Sequence, residues 1–317
     1  MLAARFHAYD GIGAIRLEEV ARPVAGQGQL VVRVVAAGVN PFDWYAVEGW
    51  VNAYVAFTLP TTLGRDFSGL VDAVGAGVEG FAPGDAVYGH VDAAADGSFA
   101  EYVAVPADRV VRKPKRISHI EAASLPNVLM AAWDGLLSST SGADLQPGQT
   151  LLVNGAAGGI GSLAVQLAVW RGARVIGTSS PASHDFLRTL GADMALDYTD
   201  PQWPAELGLV DAVLDTSAGT DADLLCARLR PGGHYVALGG LPPAPWPEQK
   251  AAVGIRCTVA SGPASAPMFE RMTQLVADGD VRPVVSDVLP LDRIADAMKR
   301  ISSGNIRGKL VLKISDA

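Results

Sequence analysis

Apolar residues in the first 115 or so positions fall in short runs with the character of strands. Residues 30–37 form a dense β-branched run, and residues 67–74, 86–90, 99–105 and 110–111 follow as further strands. Turn signals separate them at Gly75-Ala76-Gly77, Pro83-Gly84-Asp85 and Asp96-Gly97. Short strands at this spacing predict a barrel-like or sandwich-like unit. Near Ile117 the pattern changes. Ser118 followed three residues later by Glu121 forms a capping box that opens a helix. From there apolar strands at 150–154, 174–178, 194–196, 212–215, 234–238 and 255–260 alternate with helices at 160–171, 184–190, 222–229 and 267–278. Alternation of this kind, with near-continuous apolar strands, predicts a parallel doubly wound sheet. After residue 282 strands at 285–289 and 309–314 flank a helix at 294–301. The fold class read from patterning is α/β: β-rich over 1–120, a doubly wound parallel sheet over 121–281, and a return to strands over 282–317.

Composition narrows the function classes. The chain has 317 residues, 49% hydrophobic and 18% charged, which suits a well-cored globular protein. No segment reaches the roughly 18 apolar residues of a membrane helix, and the first ten residues lack the basic and apolar regions of a signal peptide. A net charge of −8 without a basic stripe argues against nucleic-acid binding. The two cysteines, Cys226 and Cys257, form no CxxC motif, which excludes a disulfide framework and a four-cysteine zinc site. A cytoplasmic setting is expected.

The strongest motif is Leu151-Leu152-Val153-Asn154-Gly155-Ala156-Ala157-Gly158-Gly159-Ile160-Gly161, in which a buried strand runs into a glycine cluster and then a helix. In that context the cluster predicts dinucleotide binding. Gly158 would let backbone approach a pyrophosphate, Gly161 would let helix pack on strand, and the N–H groups around Ala157, Gly158, Gly159 and Ile160 would face phosphate. Ala156 stands where the fingerprint's first glycine would be. The next strand ends Thr178-Ser179-Ser180, with no acid before Asp185. NAD sites place a carboxylate about 20 residues on, to bind the ribose 2′-hydroxyl. Hydroxyls there instead favour NADPH. Arg188, His184 and Tyr198 are the candidate clamps for its 2′-phosphate, and His184 reads equally well as a surface residue.

The loop, followed by Ala164-Val165-Gln166-Leu167-Ala168, Gly172-Ala173 and Leu190-Gly191-Ala192-Asp193, closely resembles zinc-free quinone oxidoreductases of the medium-chain dehydrogenase/reductase superfamily. So do Gly38-Val39-Asn40-Pro41-Phe42-Asp43, Gly64-Arg65-Asp66-Phe67-Ser68-Gly69, Gly97-Ser98-Phe99-Ala100-Glu101-Tyr102 and the tail Gly304-Asn305-Ile306-Arg307-Gly308-Lys309. The resemblance implies a GroES-like catalytic domain built from both chain ends, with the cofactor in the cleft beside the inserted Rossmann domain. It also implies a dimer or tetramer, often paired through the Rossmann edge, here residues 255–260, and a homodimer is expected. Metal-bearing relatives have Cys, His and a third ligand where this chain has Asn40, Arg65 and Asn127. A guanidinium is no zinc ligand under ordinary conditions, so no metal is expected.

Without a Lewis acid the easier acceptors are quinones and α,β-unsaturated carbonyls, because hydride addition gives a delocalised phenolate or enolate. Small apolar carbonyl or quinone substrates are therefore expected. Asn40 is the candidate donor near the nicotinamide and the substrate oxygen, with a turn-forming role before Pro41 as the alternative. Asp43 would orient that loop. Tyr45 would donate to the substrate oxygen or serve as packing. Arg65 and Asp66 would form an ion pair. Gly239 and Gly240 would let backbone approach the nicotinamide or simply turn. Asn305 and Arg307 would reach the cofactor phosphates, with a surface ion pair the alternative for Arg307. Trp44, Trp50, Tyr54, Phe57 and Trp246 fall in expected loops, as pocket lining or as anchors. An enoyl reductase acting on a biosynthetic thioester and a non-catalytic NADPH sensor share these features.

Overall fold

The computed structural model describes residues 1–217, 221–260, 266–304 and 306–317. The chain divides into two units. The first comprises Met1–Asn127, Ala264–Ala277 and Pro283–Ala317, and the second Val128–Pro263 and Asp278–Arg282.

The first unit is built on the long strand Gln29–Val39, whose β-branched residues are buried on both faces. It pairs antiparallel with Asp66–Val74, Lys309–Lys313 and Tyr102–Pro106. Beyond Asp66–Val74 the sheet continues through Ala86–His90 to Val110–Arg112, and beyond Lys309–Lys313 it ends at Val285–Pro290. That last pair is parallel, joined by the helix Ile294–Ser303. A small second sheet orders Arg16–Glu19, Leu2–Phe6 and Thr61–Thr62. Phe6, Leu30, Val34, Phe67, Phe99 and Leu310 meet in the core between these strands.

The register of the large sheet matters for chemistry. Leu310 lies opposite Val39, Gly38 opposite Asp66, and Asp66 opposite His90. Four adjacent strands therefore end or begin on one line, bringing Lys309, Asn40, Asp66 and His90 together.

The second unit holds six parallel strands: Thr150–Asn154, Arg174–Ser179, Met194–Asp197, Val210–Asp215, Leu229–Ala237 and Arg256–Val259. Numbered in that order, they lie 3-2-1-4-5-6 across the sheet, the doubly wound arrangement. Leu151, Leu152 and Val153 are fully buried, as strands covered on both faces must be. Arg256–Val259 is the edge strand at one side. The fifth strand starts earlier than its apolar run suggests, because Val210 pairs with Leu229 before the register shifts to Ala212 opposite His234. That recruitment ends the preceding helix at Cys226.

Two expectations are corrected. Trp44 lies in the helix Pro41–Val47 and Trp246 opens the helix Trp246–Ala252, so neither is in a loop. Trp246 is buried edge-on to Tyr235, 5.7 Å between centroids, and donates from Nε1 to Asp223 Oδ1 at 2.9 Å; it anchors its helix. Among the described residues no helix is long and apolar enough to cross a membrane.

Candidate active site

Asn40 caps the helix Pro41–Val47, and Pro41 at its first position has its φ set for helix. The Asp43 carboxylate accepts the Asn40 N–H at 2.8 Å, one arm of a capping box. Asn40 itself is fully buried. Its Nδ2 donates to Asp66 Oδ2 at 2.9 Å and to Gly38 O at 3.5 Å. Its Oδ1 accepts from Lys309 Nζ at 2.5 Å and Asn127 Nδ2 at 3.1 Å. Both donor hydrogens and both lone pairs of the amide are thus engaged inside the unit.

Asp66, also fully buried, is the centre of the cluster. It takes His90 Nδ1 at 3.0 Å and the Asn127 N–H at 3.0 Å, and Lys309 Nζ lies 3.8 Å away. The expected Arg65–Asp66 pair is bridged by histidine, with Arg65 Nη2 2.7 Å from His90 Nε2. A guanidinium only donates, so Nε2 accepts and Nδ1 carries the hydrogen given to Asp66. Burial raises the Asp66 carboxyl, but His90, Lys309 and Asn40 together hold it below the usual range. Burial pulls Lys309 and Arg65 down, opposed mainly by Asp66.

Asp43 behaves in the opposite way. Burial pushes its carboxyl up to about 7, against the Asn40 N–H and Lys309. A carboxyl raised on folding contributes stability that is complete below about pH 4 and lost as pH climbs through about 7. Asp43→Asn removes that loss. The variant is expected to gain on the order of 1 kcal/mol over the parent between pH 5 and pH 8, measured as denaturation midpoints at both values. An unchanged difference would count against a protonating Asp43.

Tyr45 is half-buried and packs with Trp44 and Trp50 at centroid distances of 5.1 and 5.6 Å. Its hydroxyl makes no hydrogen bond among the described residues. Trp50 and Tyr54 are exposed.

In the second unit Gly155 turns the chain off the first strand with φ +78°, and a Cβ there would meet Thr216 Oγ1 at 2.4 Å. Gly158 caps the helix Gly159–Trp170. Ser162 N–H bonds to Gly158 O at 2.9 Å, so the N–H groups of Gly159, Ile160 and Gly161 lie ahead of that bond. Ala157 and Ile160 are half-buried beside it.

A buried network fixes this turn. Thr178 Oγ1 donates to Asn154 Oδ1 at 2.6 Å and accepts the Gly155 N–H at 3.0 Å. Asn154 Nδ2 donates to Asp215 Oδ1 at 3.0 Å, and Tyr235 donates to Asp215 Oδ2 at 2.6 Å. Thr178 therefore spends its hydroxyl on the glycine turn. Ser179 is buried and donates to Ser180 O at 3.1 Å, and Ser180 is half-buried. Arg188 is exposed and bonded to Asp185 at 2.6 Å. Tyr198 is about half exposed. Gly239 and Gly240 follow the fifth strand, Gly240 at φ +109° with nothing near its Cβ position. Arg307 is exposed, and Asn305 lies outside the described residues.

Lys309 and His90 are not among the site residues expected from the sequence; sheet register brings them in from distant segments, and their sequence signal is a place at strand ends and, for Lys309, in the tail segment.

Residues 26–115 match the alcohol dehydrogenase GroES-like domain family, and residues 190–312 match the zinc-binding dehydrogenase family. The 2-methylene-furan-3-one reductase of Solanum lycopersicum is 34% identical, over 98% of this chain and 79% of its own length. The chloroplastic NADPH-dependent alkenal/one oxidoreductase of Arabidopsis thaliana is 32% identical, over 96% and 77%. The solved quinone oxidoreductase from Coxiella burnetii superposes with a TM-score of 0.88 over 99% of both chains at 28% identity. With its doubly wound and GroES-like sheets, the chain belongs to the medium-chain dehydrogenase/reductase superfamily, among the quinone oxidoreductase-like oxidoreductases.

Proposed function

We propose that this chain reduces quinones or α,β-unsaturated carbonyls with NADPH and without zinc. The observation that carries the reading is the strand–glycine turn–helix of the second unit. Its Gly158 leaves the Cβ position open, with only Gly155 O at 3.5 Å, so a pyrophosphate can approach the backbone. Ala157, Gly158, Gly159 and Ile160 would hold the phosphates. Ser179, Ser180, Arg188 and Tyr198 would face the adenosine ribose, with Thr178 behind them fixing the turn. Gly239, Gly240, Asn305 and Arg307 are assigned to the remainder of the cofactor. Bound NADPH supplies the hydride.

Zinc does not fit the residues present. The place of its ligands in metal-bearing relatives is taken by Asn40, Arg65 and Asn127, and the Lys309 ammonium is hydrogen-bonded into the same cluster. A dication there would meet two fixed cations and no thiolate. Among the described residues no three His, Cys, Asp or Glu side chains group as metal ligands. That favours acceptors whose reduced form spreads its own charge. Asn40 and Asp43, engaged internally, set the start of the helix Pro41–Val47. Tyr45, one residue past Trp44 with its hydroxyl unengaged, would donate to the substrate oxygen.

We read the protein as a cytoplasmic homodimer. Its two thiols are unpaired, which suits a reducing compartment, and the edge strand Arg256–Val259 offers a pairing row that native sheets seldom leave open. The test is anaerobic oxidation of NADPH and NADH with 1,4-benzoquinone, 9,10-phenanthrenequinone and a small enone, in EDTA. Turnover at least about tenfold better with NADPH (about 1.4 kcal/mol) and indifferent to chelator is expected. A preference for NADH would overturn the cofactor assignment, and loss of turnover in EDTA the metal assignment. Tight NADPH binding without turnover would point to a sensor.

A further inference from the structure

The Arg65 guanidinium is half-buried, and among the described residues no carboxylate is bonded to it. Its Nη2 meets His90 Nε2 at 2.7 Å, an imidazole nitrogen and not a counter-charge. Its Nε is buried without a partner. Nη1 makes no hydrogen bond among the described residues and is not buried, so it opens to solvent. The carboxylates close enough to act on this charge are Asp66, Asp43 and Asp92. Each is engaged by another group. Asp66 is bonded to His90, Asn40 and the Asn127 N–H. Asp43 accepts the Asn40 N–H, and Asp92 pairs with Arg109 at 3.2 Å. A partly buried cation with no bonded counter-charge is suited to an anion from outside the chain.

The guanidinium is also held in place. Its Cζ lies 4.6 Å over the Phe42 ring, which fixes one face, and the His90 bond fixes one edge. Phe42 stands three residues before Tyr45 in the helix Pro41–Val47, so both rings lie on one helix face, where the Tyr45 hydroxyl is unengaged. A phosphate or carboxylate takes two parallel N–H bonds from an arginine fork. With Nη2 turned to His90 and Nε covered, Arg65 presents Nη1 instead, which suits a single charged oxygen.

We propose that Arg65 is a catalytic residue, donating from Nη1 to the carbonyl oxygen of the acceptor and holding the charge that oxygen gains on reduction. The role rests on the reduction of quinones or α,β-unsaturated carbonyls proposed above. The hydride's electron pair becomes the new C–H bond of the acceptor, and NADPH is oxidised to NADP+. The acceptor's π pair moves onto its oxygen, giving an enolate or phenolate. The guanidinium keeps its own proton throughout, and a proton from water completes the product. A preorganised donor acts most where charge develops. An enolate spreads its charge less than a hydroquinone anion, so an enone depends on Arg65 more than a quinone does.

The decisive measurement is binding of 4-nitrophenol to the protein without cofactor, titrated across pH by its visible absorbance, in the parent, Arg65→Met and Arg65→Lys. The parent is expected to bind the phenolate about tenfold more tightly than the phenol, which lowers the bound probe's pKa by about one unit. Arg65→Met keeps the apolar stem over Phe42 and should lose that preference while still binding the phenol. Arg65→Lys, which keeps the charge, should recover part of it. Alongside, kcat in Arg65→Met is expected to fall about 100-fold for a small enone and about tenfold for 1,4-benzoquinone, with KM for NADPH unchanged. A parent without phenolate preference, or equal weakening of phenol and phenolate in Arg65→Met, overturns the proposal. An unchanged kcat in Arg65→Met, in a parent that turns over, overturns it too and leaves the proposed function standing. A parent that prefers phenolate but reduces no acceptor overturns the proposed function and the catalytic role with it. Should Arg65→Met not fold, Arg65→Gln decides on the same phenolate-to-phenol ratio.

Discussion

Lys309→Met is expected to lower the stability of the protein by about 3–5 kcal/mol, the range seen when one partner of a buried charge pair is removed. The ammonium is buried, donates to Val39 O at 2.6 Å and to Asn40 Oδ1 at 2.5 Å, and lies 3.8 Å from Asp66. Methionine preserves most of the apolar stem, so the loss isolates the charge and its bonds rather than a cavity. Four groups suffer at once. Asp66 keeps its charge with only His90, Asn40 and the Asn127 N–H to balance it. Val39 O and Asn40 Oδ1 each lose a donor. The nearby Asp43 loses one of the influences that lower its carboxyl, and becomes harder still to ionise. Urea denaturation gives the number. The double variant Lys309→Met with Asp66→Asn should recover part of the loss, because it withdraws both charges of the pair together. A single-variant loss below about 1 kcal/mol would mean that water reaches this cluster and screens it.

The same cluster shows what could and could not be seen in the sequence. The strands 86–90 and 150–154 are legible to the residue, because an apolar run bounded by turn signals has one reading. Asn40 and Asp43 are legible as members of one loop, with Asp43 orienting it, but their pairing as an N-cap shows only in the structure. Lys309 and His90 are not legible as site residues. They reach Asn40 and Asp66 through sheet register, and register is a property of four strands drawn from both ends of the chain. The helix Pro41–Val47 is not legible, because Asn-Pro signals a turn as readily as a helix start, and the packing of Asp43, Ala46 and Val47 decides between them. Thr178 illustrates a different limit. A hydroxyl at the end of the second strand suits a phosphate on sequence grounds, but Asn154, 24 residues earlier, captures it. The glycine turn is thus held by a side chain that sequence reasoning assigned to the ligand.

Within that turn two glycines should respond to the same substitution in different ways. A Cβ on Gly161 would stand 2.3 Å from Gly155 O and 2.7 Å from Ala156 Cα, both backbone atoms that cannot swing aside. Gly161→Ala must therefore push the helix Gly159–Trp170 off the turn. The expected cost is about 1–3 kcal/mol, as for other overpacked sites, and NADPH binding falls with it because the N–H groups ahead of Ser162 move. A Cβ on Gly158 meets nothing nearer than Gly155 O at 3.5 Å, at φ −73°, a conformation alanine adopts freely. Gly158→Ala should cost about 1 kcal/mol or less, the size of a changed N-cap. Its methyl group would nevertheless occupy space that a pyrophosphate needs, so NADPH affinity should fall by about tenfold or more, roughly 1.4 kcal/mol. Thermal unfolding and fluorescence titration with NADPH separate the two cases. Loss of stability and affinity together in Gly161→Ala, with loss of affinity alone in Gly158→Ala, assigns the first glycine to packing and the second to the phosphates. If Gly158→Ala bound NADPH as tightly as the parent, the pyrophosphate would have to lie elsewhere on the sheet, and the assignment of Ala157, Gly158, Gly159 and Ile160 would fall.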